Sequence, residues 1–303
     1  MQRDFKETFM KYVFMACALI SVLSIVLIFY FIFINGSFEG EADGSTHFVM
    51  TGGLPFMIKE GFKDFIFGTQ WRPTASTPMF GIFPMIVGSI IVTLGAVIIG
   101  VPIGIFTSIF MAFFCPKNLY KIAKPAINLM AAIPSIVYGF FALQIFVPFF
   151  RKIMGGTGMN IVTASVLLGI MILPTIIGLS ESTLRSIPKS YYQASVGLGE
   201  THEGSISRVV VPAAKSGIFS AVVLGIGRAI GETMAVILVT GNQPTLPKGL
   251  SSGVRTLTTN IVLEMGYASG DHRQALIATA SVLFIFILII NSVFMVIKAK
   301  GDK

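Results

Sequence analysis

The sequence predicts an all-α membrane protein with six transmembrane helices. Hydrophobic residues make up 54% of the 303 residues, charged residues only 12%, and the mean hydropathy is +0.83. Soluble domains carry about 25% charged residues, so half that fraction indicates a polytopic membrane protein. The net charge of +8 comes from Lys and Arg in short loops between apolar runs. This distribution predicts anchoring in membrane lipid and no nucleic-acid partner.

The first apolar run, residues 12–34, is long enough to cross a hydrocarbon core of about 30 Å. No cleavage site follows it, so we interpret it as an anchor that is retained. The polar segment that follows has neither the length nor the apolar content for a core of its own. We therefore predict two parts: residues 1–78, with the first helix and an extracytoplasmic segment, and residues 79–303, the main transmembrane domain.

Residues 79–114 carry no charge, which fits one long span or two short ones. One span places Lys117, Lys121 and Lys124 on the same side as the N-terminus, so we predict a single helix, kinked at Pro102 and protruding into the cytoplasm. The later spans are predicted at 125–150, 160–179, 217–240 and 275–297. This arrangement places both termini in the cytoplasm, with 13 Lys and Arg inside and eight outside.

The fifth predicted span is lined by small residues. They repeat at a spacing of four, and a second pair lies on another face: Gly217, Ala221, Gly225 and Ala229, with Gly227 and Gly231. Small residues let helices approach closely in lipid. Packing within the chain and packing against another subunit both fit this pattern.

The longest predicted cytoplasmic loop, residues 181–216, has an ordered pattern. It predicts a short helix over 189–198 with Gly199 just past its end. Thr201 is predicted to cap a second short helix, which ends at Pro212. The pattern fits a docking element for a partner, and it also fits a connector that lies on the membrane.

This loop resembles the loop of ABC importer permeases, which has the pattern E-A-A-x3-G-x9-I-x-L-P. The matching residues have the same spacing: Gln193, Ala194, Ser195, Gly199, Val209, Val211 and Pro212. Gln193 replaces the usual Glu, and Ser195 replaces the second Ala. In that family the loop inserts a short helix into a groove of a cytoplasmic ATPase. The resemblance therefore implies that these residues couple the chain to an ATPase.

Two charged residues, Arg228 and Glu232, stand inside the apolar run 217–240. An Arg at the centre of a bilayer costs on the order of 2.5–3.5 kcal/mol. Because the two residues are four apart, we predict that they share a helix face and pair. They either form a structural pair that fixes the helix, or Arg228 offers a site to an anion in transit while Glu232 limits its affinity. A guanidinium suits tetrahedral oxyanions through its paired N–H donors.

Further candidate pathway residues lie in the third predicted span. Asn128 and Ser135 are seven residues apart and are predicted to share a helix face, and Tyr138 follows them. They either line the path or form hydrogen bonds between helices. Pro134 and Pro174 are candidate hinges.

Three further stretches carry a more specific resemblance: GRAIGETMAV with TGN at 227–242, AAIPSIVYGFF at 131–141, and GIMILPT at 169–175. With them, the chain resembles the C-type permease subunits of phosphate ABC importers. The resemblance implies the type I ABC importer permease fold with an extra N-terminal helix. It also implies an A-type permease partner, two ATPase subunits, an extracytoplasmic phosphate-binding protein, and location in a bacterial or archaeal cytoplasmic membrane.

The sequence predicts no catalytic residue, no metal site and no cofactor. It contains no G-x-x-x-x-G-K-[ST] motif, so ATP hydrolysis is expected in a partner chain. Cys17 and Cys115 share no metal-binding spacing. Three alternatives stay open: a permease for molybdate or sulfate, an ion-coupled secondary transporter with Glu232 as proton relay, and a membrane scaffold without transport. An intramembrane enzyme is disfavoured because no nucleophile and base pair is present.

Overall fold

The structure, a computed structural model, describes the backbone of residues 2–34, 36–40, 46–50 and 52–301. It describes the side chains of Glu7 and of residues 9–34 and 52–296. Within these residues the chain is mostly helical, with two short pairs of antiparallel strands. Five helices are long and apolar enough to cross a membrane, and the count reaches six if two helices that meet at 69° form one span. The predicted all-α membrane fold is confirmed.

Helix α1, Gln2–Ile34, contains the first predicted span. Almost none of its apolar surface is buried within the chain, so these side chains are available to lipid. Its C-terminal end packs against the last helix of the chain, where the rings of Phe29 and Phe33 each lie 6.0 Å from the ring of Phe284. The antiparallel strands β1 (Gly36–Gly40) and β2 (Thr46–Met50) follow it.

Residues 53–80 form a small layer that shares a core with the end of the chain. The layer consists of α2 (Gly53–Glu60), α3 (Phe62–Phe67), β3 (Trp71–Arg72) and β4 (Met79–Phe80). Phe56 and Trp71 are buried in one cluster with Leu276. The predicted boundary at residue 78 falls between the paired strands β3 and β4, and the division into two parts stays a prediction.

Helix α4, Phe83–Ile109, continues without a break into a π-helical turn, Phe110–Phe114. The prediction of one long helix here is confirmed, because the combined helix has 32 residues. At a rise of 1.5 Å per residue it is about 48 Å long. Pro102 lies inside it, and the kink at Pro102 and the protrusion into the cytoplasm stay predictions. The helix therefore runs from the layer of residues 53–80 to the opposite end of the bundle.

The third predicted span, 125–150, is wrong as a single helix. The chain forms α5 (Lys117–Ala132) and α6 (Ser135–Met154), with a break at Ile133 and Pro134. The residue before a proline is pushed out of the helical region, and Ile133 has an extended ψ of 128°. The predicted hinge position at Pro134 is therefore a true helix break.

Helix α7, Ile161–Ser186, contains the fourth predicted span and runs through Pro174 without interruption. It packs closely along α4 because both helices carry glycine at the contact. A Cβ at Gly100 would lie 2.7 Å from the carbonyl oxygen of Gly169. Such an approach is possible only without a side chain at that point.

The loop 181–216 folds into short helices before the fifth span. They are α8 (Lys189–Gly197), α9 (His202–Ser205), a π-helical turn (Ile206–Val210), α10 (Val211–Ala213) and α11 (Lys215–Gly231). In α11 the small residues face α7: a Cβ at Gly217 would meet Thr183, and one at Gly225 would meet Ile176. Packing within the chain therefore accounts for this face of small residues.

The fifth predicted span, 217–240, is also broken. Helix α11 ends at Gly231, and a separate helix α12 covers Met234–Val239. After a long loop come α13 (Leu257–Glu264) and α14 (Gly270–Gly301), which contains the sixth predicted span. Because of the break at 232–233, Arg228 and Glu232 do not lie on one continuous helix.

Candidate functional site

The predicted elbow of the loop is present. Helix α8 ends at Gly197, and Gly199 has φ +92°, a conformation that favours glycine. The hydroxyl of Thr201 accepts a hydrogen bond from the backbone N–H of Gly204 at 3.1 Å, as predicted for a helix cap. Between these residues Leu198 is 91% exposed.

The predicted end of the second helix at Pro212 is confirmed to within one residue. The helix ends at Ala213, and the chain bends by 69° before α11. Pro212 lies in the first turn of α10, where a proline is tolerated because its missing N–H is not needed. The π-helical turn just before it shifts the hydrogen bonding of the backbone.

Some residues of the motif are exposed, and others are buried within the chain. Gln193, Ala194 and Pro212 are exposed, and Ser195 is buried. A concave surface lies between α8 and the π-helical turn and encloses an open cavity of about 630 Å³. The cavity is lined by Ala194, Ser195, Leu198, Gly199 and Val209 among others. Val211 packs inward, against the cluster of Leu184, Ala214 and Ile218.

Aromatic and polar contacts connect this loop to the end of α4. The Tyr192 hydroxyl and His202 Nδ1 are 2.9 Å apart, and the His202 ring lies 5.2 Å from the ring of Phe114. These contacts join α8 and α9 to the end of the helix that spans the bundle.

Sequence reasoning missed a buried ionic cluster at the same end. Glu181 on α7 is 1% exposed. Its carboxylate accepts hydrogen bonds from Lys124 Nζ at 2.6 Å, the Tyr120 hydroxyl at 2.8 Å and Arg185 Nε at 2.8 Å. Arg185 also donates to the carbonyl of Met111 at 2.7 Å. The i,i+4 spacing of Glu181 and Arg185 could have predicted this ion pair. Nothing in the sequence indicated the partners on α5.

The same cluster shifts the pKa of Tyr120. The hydrogen bond to the Glu181 carboxylate, together with burial, raises the pKa of the Tyr120 phenol. The phenol therefore stays protonated at neutral pH and keeps donating to Glu181. The cluster ties α5 to α7 through one carboxylate.

Arg228 lies on α11 and faces α7. Its Nη1 donates to the Thr175 hydroxyl at 3.3 Å, and the residue is half-buried. Tyr138 on α6 is close enough to experience the charge of Arg228. Thr175 is a second residue that sequence reasoning did not select, although it ends the quoted stretch 169–175.

The predicted pairing of Arg228 with Glu232 is wrong. Because α11 ends at Gly231, Glu232 has extended backbone angles and leaves the helix face that carries Arg228. Its carboxylate instead accepts hydrogen bonds from the backbone N–H groups of Thr233 at 3.1 Å and Ala235 at 3.2 Å. Glu232 thus caps the start of α12.

The predicted shared face of Asn128 and Ser135 is also wrong, because the break at Pro134 places them on different helices. Asn128 is exposed on α5, and Ser135 begins α6. Tyr138 spans the break, since its hydroxyl donates to the carbonyl of Met130 at 2.8 Å. The electrostatic interaction between Tyr138 on α6 and Arg228 on α11 links two of the five predicted pathway residues.

Residues 100–300 match the family described as "Binding-protein-dependent transport system inner membrane component". The chain belongs to this family. The match contains the loop 181–216 and Arg228. The family match and the apolar helices together support a multi-pass protein of the inner membrane.

Individual relatives in this permease family are similar over most of their length. The chain is 37% identical over 268 residues to the "Probable ABC transporter permease protein YqgH" of Bacillus subtilis, covering 88% of this chain and 82% of the relative. It is 32% identical over 263 residues to the "Phosphate transport system permease protein PstC" of Pasteurella multocida, covering 80% and 81%.

A solved structure supports the fold. A chain in an inward-facing structure of the MetNI methionine ABC transporter gives a TM-score of 0.56 at 22% identity, covering 74% of this chain and 95% of that chain. This likeness shows the fold of the type I ABC importer permeases.

Proposed function

We propose that the chain is a transmembrane permease subunit of an ATP-driven importer of inorganic phosphate. The family membership and the permeases named for phosphate transport, with identities up to 32%, support this substrate. The observation that carries the proposal is the state of Arg228. In the described part of the chain, its guanidinium is held by the neutral hydroxyl of Thr175 and forms no ion pair with a carboxylate.

An uncompensated guanidinium inside a membrane span is costly, and such residues face a polar path or a partner. A tetrahedral oxyanion in transit offsets that cost through charge-assisted hydrogen bonds. The position of Glu232 strengthens this interpretation, because its carboxylate is engaged by backbone N–H groups of α12. The charge of Arg228 is therefore available to a passing anion.

The loop 181–216 is proposed as the docking element for one of the two ATPase subunits of the complex. Its exposed residues Gln193 and Ala194 and the concave surface beside Leu198 support this role. The loop end of the bundle, and with it both termini, is assigned to the cytoplasm. A second permease subunit of the A-type completes the path, and an extracytoplasmic phosphate-binding protein delivers the substrate at the opposite end.

ATP-dependent uptake tests this function. The complex is reconstituted in vesicles with its binding protein, and uptake of radiolabelled phosphate is measured with and without ATP. We expect uptake only with ATP, and excess sulfate or molybdate should not reduce it. Uptake that persists without ATP would support a secondary transporter. Equal competition by sulfate or molybdate would contradict the assignment to phosphate.

Removal of the docking element tests the coupling. In a variant that lacks residues 190–212, we expect both uptake and assembly with the ATPase to be lost. Wild-type uptake by this variant would show that the loop has no coupling role and would favour a scaffold function.

A further inference from the structure

We infer that a second anion site lies at the end of the bundle opposite the docking loop, where it holds a tetrahedral oxyanion before the anion reaches Arg228. The inference rests on the proposed function. The site, called here the outer anion site, is a cavity of about 380 Å³. Its walls include Trp71, Arg72, Thr74, Arg255, Tyr267 and His272.

The lining of this cavity is positively charged. Glu264 is the one carboxylate among the lining residues, against the two guanidinium groups of Arg72 and Arg255. Glu264 is fully engaged: Oε1 accepts from Arg255 Nη1, and Oε2 lies 2.9 Å from Trp71 Nε1 and 2.8 Å from His272 Nε2. The lining residues therefore carry a net charge of one positive unit even when His272 is neutral.

Several hydrogen-bond donors of the cavity have no acceptor among the described residues. Arg255 uses Nε and Nη1 on Asn242, Asn260 and Glu264, which leaves Nη2 free. Within the described part of the chain, the guanidinium of Arg72 has no hydrogen-bond or ion-pair partner. A guanidinium binds an oxyanion with two parallel N–H donors.

Tyr267 adds a neutral donor to the same wall. Slight desolvation, with the Glu264 carboxylate nearby, raises the pKa of the Tyr267 phenol, which is 67% exposed. Its hydroxyl is protonated at neutral pH, as a tyrosine ordinarily is, and can donate to a bound anion. A set of two guanidinium groups and a phenol favours an anion with several oxygen atoms over chloride.

A chain of hydrogen bonds connects this wall to the helix of Arg228. Arg255 Nε donates to the carbonyl of Asn242 at 3.0 Å, and Asn242 Nδ2 donates at 2.7 Å to Ile237 in α12. At the other end of α12, the Thr258 hydroxyl donates at 3.1 Å to the carbonyl of Glu232, just past the helix of Arg228. An anion at the outer site therefore lies next to the elements that frame the path.

The single tryptophan of the chain provides a direct readout, because Trp71 lines the cavity and bonds to Glu264. The full chain in detergent micelles is titrated with inorganic phosphate, with sulfate, and with chloride at matched ionic strength. We expect a saturable change of Trp71 fluorescence with phosphate and none with chloride. Equal changes with chloride would overturn the site, because they would reflect screening.

The variant Arg72→Gln should weaken phosphate binding by about tenfold, since loss of one charge-assisted contact corresponds to roughly that factor. Arg273→Gln is the matched control, because Arg273 is exposed at the same end and does not line the cavity. Equilibrium dialysis with radiolabelled phosphate counts bound anion if fluorescence does not respond. Equal phosphate binding by Arg72→Gln and Arg273→Gln would overturn the site.

These binding measurements do not depend on transport. If phosphate binds and Arg72→Gln weakens it while the complex imports no phosphate, the proposed function fails and the outer anion site stands. If uptake is normal and neither fluorescence nor dialysis detects phosphate in the isolated chain, the site is refuted and the proposed function stands.

Discussion

The guanidinium of Arg228 on α11 is bound to the hydroxyl of Thr175 on α7, with Nη1 and Oγ1 separated by 3.3 Å. Helix α7 also carries Glu181, the centre of the ionic cluster with Lys124 on α5. Thr175 and Glu181 are six residues apart, or about 9 Å along the helix axis. One rigid helix therefore joins the residue proposed to meet the anion with the end of the bundle that meets the ATPase.

Thr175→Val should weaken transport, because the isosteric valine removes the acceptor that orients Arg228. A hydrogen bond to a charged group contributes about 1.5–3 kcal/mol, so we expect uptake to fall about tenfold while the complex assembles. Thr183→Val is the matched control on the same helix, where the hydroxyl bonds only to the carbonyl of Leu179. Equal uptake by both variants would show that Thr175 does not position Arg228.

Glu181→Gln should destabilise the chain, because Lys124 and Arg185 lose their carboxylate partner. Removal of one partner of a buried ion pair costs 3–5 kcal/mol. Since the side chains of Lys124 and Arg185 are 30% and 46% exposed, we expect a smaller loss of about 1–3 kcal/mol.

The measurement is the thermal unfolding of the purified complex in detergent. Glu200→Gln is the control, because its partner Arg208 is 76% exposed and the pair should contribute less than about 1 kcal/mol. A midpoint for Glu181→Gln no lower than that of Glu200→Gln would contradict the structural role of the cluster.

Gly199→Ala should reduce transport per ATP hydrolysed, because φ +92° strains any residue with a Cβ. Gly197→Ala is a matched control with ordinary backbone angles. At both positions, an added Cβ would meet no described residue within 4 Å beyond the adjoining chain. The backbone strain should cost Gly199→Ala roughly 1–2 kcal/mol, whereas Gly197→Ala, at the end of α8, adds no such strain and favours the helix.

Coupling is measured as phosphate taken up per ATP hydrolysed by the reconstituted complex. We expect a several-fold lower ratio for Gly199→Ala and an unchanged ratio for Gly197→Ala. If the ratios are the same, the elbow does not transmit the ATPase movement.

Local sequence patterns were sufficient for the elements that depend on local chemistry. The long uncharged run 79–114 predicted a single helix, and the glycine and threonine of the elbow predicted the turn and the cap. Pro134 and Pro174 were both candidate hinges, yet the helix breaks at Pro134 and runs through Pro174, although the two residues look alike in sequence. Packing of α7 against α4 and α11 maintains the helix through Pro174, and no local pattern reports such packing.

The candidate site was harder to predict because its contacts join distant parts of the chain. A continuous helix over 217–240 would have paired Arg228 with Glu232, and the apolar run contains no proline that signals the break. Glu232 leaves the helix because its carboxylate caps α12. Lys124 lies 57 residues from Glu181, and Trp71 lies 193 residues from Glu264, so spacing in the sequence could not identify these partners.

Uptake of phosphate by Arg228→Gln is the most direct test of the proposed mechanism. The complex is reconstituted in vesicles, and ATP-driven uptake is compared for the wild type, Arg228→Gln and Arg228→Lys, with assembly checked by size-exclusion chromatography. We expect Arg228→Gln to assemble and to lose at least about tenfold in uptake, since one charge-assisted contact is worth about 1.5–3 kcal/mol. Arg228→Lys should retain part of the uptake because it keeps the charge. Wild-type uptake by Arg228→Gln would contradict a role of this residue in the anion path.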